Sequence, residues 1–269
     1  MGVLEGKVAL VTGAARGLGR SHALRLAEEG ASVIALDLCA QIATVDYPMS
    51  TPEDLAETVA VVEAMGGRIL ARVADVRDPD GLGAAVAGVH ELGRLDVVVA
   101  NAGIAPLYVD EDARSEAWRD VIDVNLTGVW NTVDVSVPAL IASGGGSVTI
   151  ISSAAGLRGL GGDSVGMPAY TAAKHAVVGL MRTLARQLGP HSIRVNTVHP
   201  GGVGTAMSTN DSMRRFLVEN EAFANSVTNV LPVRMVEPLD VSNAVVWLGS
   251  DAARFVTGVT LPVDAGCVL

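Results

Sequence analysis

Tyr170 and Lys174 stand four residues apart in YTAAKHAVVGL, and on a helix that spacing puts both side chains on one face, one turn apart. A phenol and an ammonium so placed can move a proton. The ammonium favours phenolate and draws the phenol down from its ordinary ~10 toward the working range, which makes Tyr170 a candidate general base for an alcohol. Composition singles the pair out: the chain has three Tyr and only two Lys against seventeen Arg, so lysine is not its default cation. Upstream, Ser152 and Ser153 end the run SVTIISS and can each bring a hydroxyl to the reacting oxygen, although either can instead cap a turn. Neither lies in a GxSxG turn, so a serine nucleophile is not favoured, and His175 and His199 read as structural.

A second chemistry lies at TGAARGLG, Thr12 to Gly19, where Gly13, Gly17 and Gly19 open a helix-like segment directly after an apolar run. Glycines permit a tight turn and close backbone approach, and a helix N-terminus offers N–H groups and a positive dipole end to a pyrophosphate. Asp37 follows eighteen residues after Gly19, at the end of the next apolar run, where a carboxylate can accept hydrogen bonds from both hydroxyls of an adenosine ribose. The same charge repels a 2'-phosphate, which favours NAD over NADP. Arg16 is a contrary cue, since a guanidinium can pair with that phosphate, but Leu38 and Cys39 add no second positive charge.

These groups need a frame. Short β-branched runs recur at VALVT (8–12), SVIAL (32–36), ILARVA (69–74), LDVVVA (95–100), SVTIIS (147–152) and IRVNTV (193–198), as suits strands buried on both faces. Helix-like segments at 18–29, 52–65, 79–92, 118–142 and 169–188 alternate with them. The fold expected is a single Rossmann-like α/β domain over residues 1–269, a doubly wound parallel sheet with helices on both faces and ligands outside the carboxyl ends of its strands. Two segments lie outside the frame. Residues 38–52 form a long insertion after a buried strand, and 206–236, with Met207, Met213, Phe216, Leu217, Phe223 and Met235, read as an apolar substrate lid or an ordinary core stripe.

Composition narrows the classes. A net charge of -10 without a basic cluster argues against nucleic acid, and two cysteines in 269 residues make neither a disulfide framework nor a metal site. The absence of a long apolar run points to a cytoplasmic chain without a membrane partner.

Taken together, TGAARGLG, Asp75-Val76, the Asn101-Ala102-Gly103 triplet, Asn125, Ser153, YTAAK and HPGGVGT resemble the short-chain dehydrogenase/reductase family from end to end. The resemblance implies a nicotinamide cofactor, with Ser153 polarising the substrate oxygen, Tyr170 exchanging the proton, Lys174 binding ribose and tuning Tyr170, and Asn125 organising a proton-relay water. It assigns Gly13, Arg16, Gly17, Leu18, Asp75, Val76, Asn101 and Gly103 to the adenosine and phosphate side, and Val203 and Thr205, after Pro200-Gly201, to the nicotinamide amide. The wide spacing between Ser153 and Tyr170, filled by glycines between Gly159 and Gly166, and the insertion after Asp37 resemble the mycofactocin-associated, carveol-dehydrogenase-like branch. That branch implies NAD held in place and reoxidised by an external redox carrier, and the family implies a homotetramer built on the two long helices. The reading is an NAD-dependent interconversion of a secondary alcohol and a ketone, on a hydrophobic, terpenoid-like substrate. An NADPH-dependent carbonyl or 3-oxoacyl reductase and a silent dinucleotide-sensing module are the alternatives.

Overall fold

A computed structural model describes residues 2–87, 89–161 and 164–269. Seven strands, β1 (Val8–Thr12), β2 (Ser32–Asp37), β3 (Ile69–Val73), β4 (Val97–Ala100), β5 (Gly146–Ile151), β6 (Ile193–Pro200) and β7 (Thr260–Val263), form one sheet in the order β3-β2-β1-β4-β5-β6-β7. Every pairing is parallel. The helices are α1 (Gly17–Glu28), α2 (Pro52–Ala64), α3 (Pro79–Val86), α4 (Val89–Leu92), α5 (Arg114–Ile122), α6 (Gly128–Ala142), α7 (Gly166–Leu188), α8 (Ala206–Thr209), α9 (Asp211–Glu219), α10 (Glu221–Ser226) and α11 (Pro238–Gly249).

The central strands are largely apolar because successive residues feed opposite cores. Ala9, Val11, Val97 and Val99 pack with Ala23 and Leu26 of α1 and Val241 and Val245 of α11. Val8, Leu10 and Val98 pack with Leu82 of α3, Val129 and Val133 of α6, and Val177, Met181 and Leu184 of α7. This is the doubly wound sheet that the sequence predicts. Strand order reverses beside β1, which has β2 on one side and β4 on the other, so a crevice opens there at the carboxyl ends.

Three expectations about the elements change. The helix predicted over 118–142 is α5 and α6 joined by a π-helical turn at Asp123–Thr127, which presses Gly128 so close to Val76 that a Cβ there would lie 2.5 Å from Val76 Cγ2. The helix predicted over 79–92 contains α3, which ends at Val86 with Ala87 as its C-cap, and α4 from Val89; Gly88 between them lies outside the described residues. The sequence reading also omits β7 and α11. β7 is a four-residue edge strand carrying Pro262, tolerated only because an edge position needs no second ladder. α11 begins with a capping box between Glu237 and Asp240 around Pro238, a local signal that the sequence does carry.

The insertion at 38–52 is packed. Ile42, Val45 and Tyr47 are buried in one cluster with Val76, Ile104, Val121, Val124 and Ala169. Gln41 Nε2 donates to the Val45 carbonyl at 2.9 Å, its Oε1 accepts from Met49 N at 3.0 Å, and Thr44 Oγ1 donates to Asp120 of α5 at 2.6 Å. The lid segment 206–236 contains α8, α9 and α10. Among the described residues no helix is long and apolar enough to cross a membrane.

Candidate active site

The glycine turn is shaped by two positive φ angles, 67° at Gly13 and 56° at Gly17, which side-chain-bearing residues rarely adopt. A Cβ on Gly19 would fall 1.8 Å from the Gly13 carbonyl, so α1 meets the turn without room for a methyl. Arg16 is the N-cap of α1, extended and without a side-chain cap, so the first N–H groups of the helix face the crevice free of a side-chain partner. Asn101 braces the turn from β4: its Nδ2 donates to the Thr12 carbonyl at 2.9 Å, and Thr12 Oγ1 accepts from Asn101 N and Ala102 N.

One cleft brings the sequence-assigned cofactor residues together. It is lined by Gly13, Arg16, Gly17, Leu18 and Gly19; by Asp37, Leu38, Asp75 and Val76; by Asn101, Ala102 and Gly103; and by Pro200, Gly201, Val203 and Thr205. Ser153, Tyr170 and Lys174 line the same cleft. Tyr47, Met49, Ser50, Ile104 and Met207 also line it; of these, the sequence reading passed over Ser50 and Ile104, which carry no local signal.

The cleft carboxylates are already held. Asp37 accepts from Ala15 N at 2.9 Å through Oδ2, and from Cys39 N at 3.1 Å and Ser50 Oγ at 2.6 Å through Oδ1. A carboxylate has about four acceptor positions, so there is room for about one further hydrogen bond rather than the two expected from sequence. Asp75 is clasped by Arg77, 2.7 Å from Nη2, and Arg77 reaches on to Asp120 at 3.0 Å. The Arg16 guanidinium donates to the Pro48 carbonyl at 2.5 Å, which ties it to the insertion rather than leaving it free for a 2'-phosphate.

At the other end of the cleft, Tyr170 is hydrogen-bonded to the Ser153 side chain. Ser152 is engaged elsewhere, its Oγ donating to the Lys174 carbonyl at 3.0 Å. Lys174 Nζ donates to the Ile151 carbonyl at 2.7 Å and sits 5.5 Å from the centre of the Tyr170 ring. Burial pushes the Tyr170 phenol above its ordinary value, and the Ser153 hydrogen bond pulls only part of the way back. The same burial lowers Lys174 itself to about 8. In the cofactor-free protein, then, burial sets the direction of the Tyr170 shift, opposite to the one expected from the neighbouring ammonium alone.

Asn125 is buried in the π-helical turn one residue beyond Val124, which lines the cleft. Its Oδ1 accepts from Ile104 N at 2.9 Å and its Nδ2 donates to the Ile104 carbonyl at 2.7 Å, so its amide holds the chain after Gly103 in place. His199 is the structural residue expected. Its Nδ1 lies 2.8 Å from the Ser153 carbonyl, which can only accept, so Nδ1 carries the proton and Nε2 accepts from Thr197. Burial lowers it to about 4 and keeps it neutral, bracing Ser153 from behind.

Beside Tyr170 lies an apolar cluster. Leu107, Ala155, Leu160, Met167, Phe216 and Phe223 are buried together, with Tyr108, Met213, Leu217 and Tyr170 packed against them, and of these residues Tyr170 is the one that lines the cleft. Of the lid residues singled out from sequence, Met213, Phe216, Leu217 and Phe223 join this cluster, and Met207 lines the cleft beside the insertion.

The sequence model of the family described as short chain dehydrogenase matches residues 7–215. The chain is 48% identical to the (-)-trans-carveol dehydrogenase of Rhodococcus erythropolis, covering 100% of each chain, and 58% identical to an uncharacterized oxidoreductase of Mycobacterium tuberculosis, covering 98% of this chain and 97% of the other. A crystal structure of carveol dehydrogenase from Mycobacterium avium in complex with NAD is 48% identical, covers 100% of this chain and 99% of that one, and superposes with a TM-score of 0.92.

Proposed function

The chain belongs to the short chain dehydrogenase family and is an NAD-dependent alcohol dehydrogenase, and from that premise we propose that it interconverts a hydrophobic secondary alcohol and its ketone. The observation that supports the substrate class is the apolar cluster of Leu107, Leu160, Phe216 and Phe223 packed behind Tyr170, together with the cleft-lining Ile104, Val203 and Met207. The glycine turn without room for a Cβ and the uncapped start of α1 fit a dinucleotide pyrophosphate. Bound NAD supplies the hydride acceptor.

The protein's own groups handle the proton and the oxygen. In this reading Ser153 hydrogen-bonds the substrate oxygen, Tyr170 takes the hydroxyl proton, and Lys174 binds the ribose beside them while its ammonium offsets the forming phenolate. Asn125 positions the chain at Ile104, and with it the route of a relay water. Screening hydrophobic and short polar alcohols for the appearance of reduced nicotinamide tests the substrate class. Preference for the short polar alcohols would reject it.

Asp37 favours NAD over NADP on charge, and Arg16, tied to Pro48, does not reverse that. In Asp37→Ala the preference for NAD is expected to relax. NAD affinity should fall as well, because the ribose loses its acceptor and the insertion loses its Ser50 anchor. Dissociation constants for both cofactors check this, and a wild type that prefers NADP would overturn it.

The packed insertion supports a second part of the reading, that NAD is retained and reoxidised in place by an external redox carrier of the mycofactocin kind. Slow NAD release, with poor turnover on free NAD and recovery with an artificial acceptor, is the expected result. Fast exchange of bound NAD with labelled NAD would reject it. We place the enzyme in the cytoplasm as a homotetramer on the faces of α5, α6 and α7, where Trp118, Trp130 and Ile141 each stay 41% exposed. A sedimentation mass of a single chain would exclude that assembly.

A further inference from the structure

We propose that Asp46 is a positioning residue that joins the apolar cluster behind Tyr170, on the alcohol side, to the loop over the cofactor, so that filling the cofactor site steadies the alcohol side. The inference rests on the NAD reading above and extends it to a residue of the insertion that does not line the cleft.

The insertion holds two sets of bonds that face opposite ways. Toward the cofactor, Ser50 Oγ donates to Asp37 and Pro48 accepts from Arg16, both of them cleft residues. Toward the alcohol, Asp46 Oδ1 accepts from Leu107 N at 2.9 Å, its Oδ2 from Tyr108 N at 3.1 Å, and its carbonyl from Ser212 Oγ of α9 at 3.2 Å. Tyr108 carries the connection into the lid: its hydroxyl donates to Glu219 at 2.7 Å, Arg215 lies 4.4 Å above its ring, and Phe216 meets it edge-on.

The span between the two sets is short and stiff. Tyr47 alone separates Asp46 from Pro48, and it is buried with its hydroxyl oxygen accepting from Ala105 N at 3.2 Å. Pro48 fixes its own φ. A displacement of Arg16 or Asp37 therefore reaches residues 105–108 through two or three residues of constrained chain rather than through a slack loop. The two Asp46 bonds are of the carboxylate-to-amide kind, stronger than neutral ones. Leu107, held directly by these bonds, and Phe216, which meets Tyr108, stand in the apolar cluster against which Tyr170 packs. Coupling between sites is reciprocal, so alcohol in the pocket would in turn hold the cofactor loop closed.

Amide hydrogen exchange on the full chain, freed of NAD on charcoal and then reloaded, tests the proposal. NAD is expected to slow exchange at 13–19 by direct contact, and at 105–108 and 211–219 by about fivefold or more. In Asp46→Ala the protection at 13–19 should persist while that at 105–108 and 211–219 disappears. Asp46→Asn, which keeps one acceptor oxygen, should fall between them, and it decides the matter if the alanine variant does not fold. A merely structural Asp46 would raise exchange at 105–108 equally with and without NAD, and that result overturns the proposal. So does a wild type protected by NAD at 13–19 and unchanged at 211–219. Absence of protection at 13–19 would instead refute NAD binding at the glycine turn.

Discussion

Tyr170→Phe is expected to fold, keep its NAD and lose about 10²–10⁴-fold in kcat, the range a positioned general base contributes. The phenyl ring retains the packing against Leu107, Met167 and Phe216, and only the proton acceptor is removed. Loss of the phenol oxygen frees the Ser153 hydroxyl proton, but Ser153 is only half-buried and its Oγ keeps the bond from Ala155 N at 3.2 Å. The comparison to make is single-turnover reduction of bound NAD in wild type and variant, which separates the chemical step from release. Turnover within a few-fold of wild type would remove Tyr170 from the proton path. Because burial holds the phenol above its ordinary value in the cofactor-free protein, the wild-type rate should rise with pH on the alkaline side, and Tyr170→Phe should lose that limb.

Lys174→Met should lower the rate and also weaken NAD, since one ammonium both offsets the phenolate and binds the ribose. Its second effect follows from burial. Lys174 is lowered to about 8 in the folded protein against an ordinary 10.5, so between those pH values the unfolded chain binds more protons than the folded one. Stability tied to this group therefore increases as pH rises from about 8 to about 10.5, and at neutral pH the buried ammonium costs the fold up to about 3 kcal/mol. The methionine has no such cost, although it leaves the Ile151 carbonyl without its partner. Denaturant unfolding of both cofactor-free proteins at pH 7 and pH 10 checks the sign: wild type should gain on the variant at the higher pH. An unchanged gap would mean that Lys174 is solvated and does not carry the burial cost.

The two effects belong together. A lysine that must be charged and buried is unfavourable for the empty fold, and the ribose it is proposed to bind supplies acceptors that would offset the burial. NAD should therefore stabilise the wild type more than Lys174→Met, a difference that thermal shifts at one NAD concentration would show.

Much of this protein was legible in its sequence because the signals are local. Strands buried on both faces must be apolar at every position, so VALVT, SVIAL and SVTIIS announce a parallel sheet between helices. The turn at Gly13 to Gly19, Asp37 at the end of β2 and the Tyr170–Lys174 spacing on α7 each depend on a few adjacent residues, and the sheet carries all of them to one crevice. Other features were settled only by contacts between distant segments. Nothing in SVTIISS says that Ser152 turns to the Lys174 carbonyl while Ser153 turns to Tyr170; the packing of β5 against α7 decides it. The direction of the Tyr170 shift in the cofactor-free protein is set by burial, opposite to the one that the four-residue spacing suggests. Residues 38–52 have no period to read, since their partners are Asp37, residues 105–108, Asp120 and Ser212, up to 166 residues away. A polar stretch with two prolines is a loop by its sequence, and it becomes a shared wall of the cleft only because the tertiary fold supplies a bonding partner on each side of it.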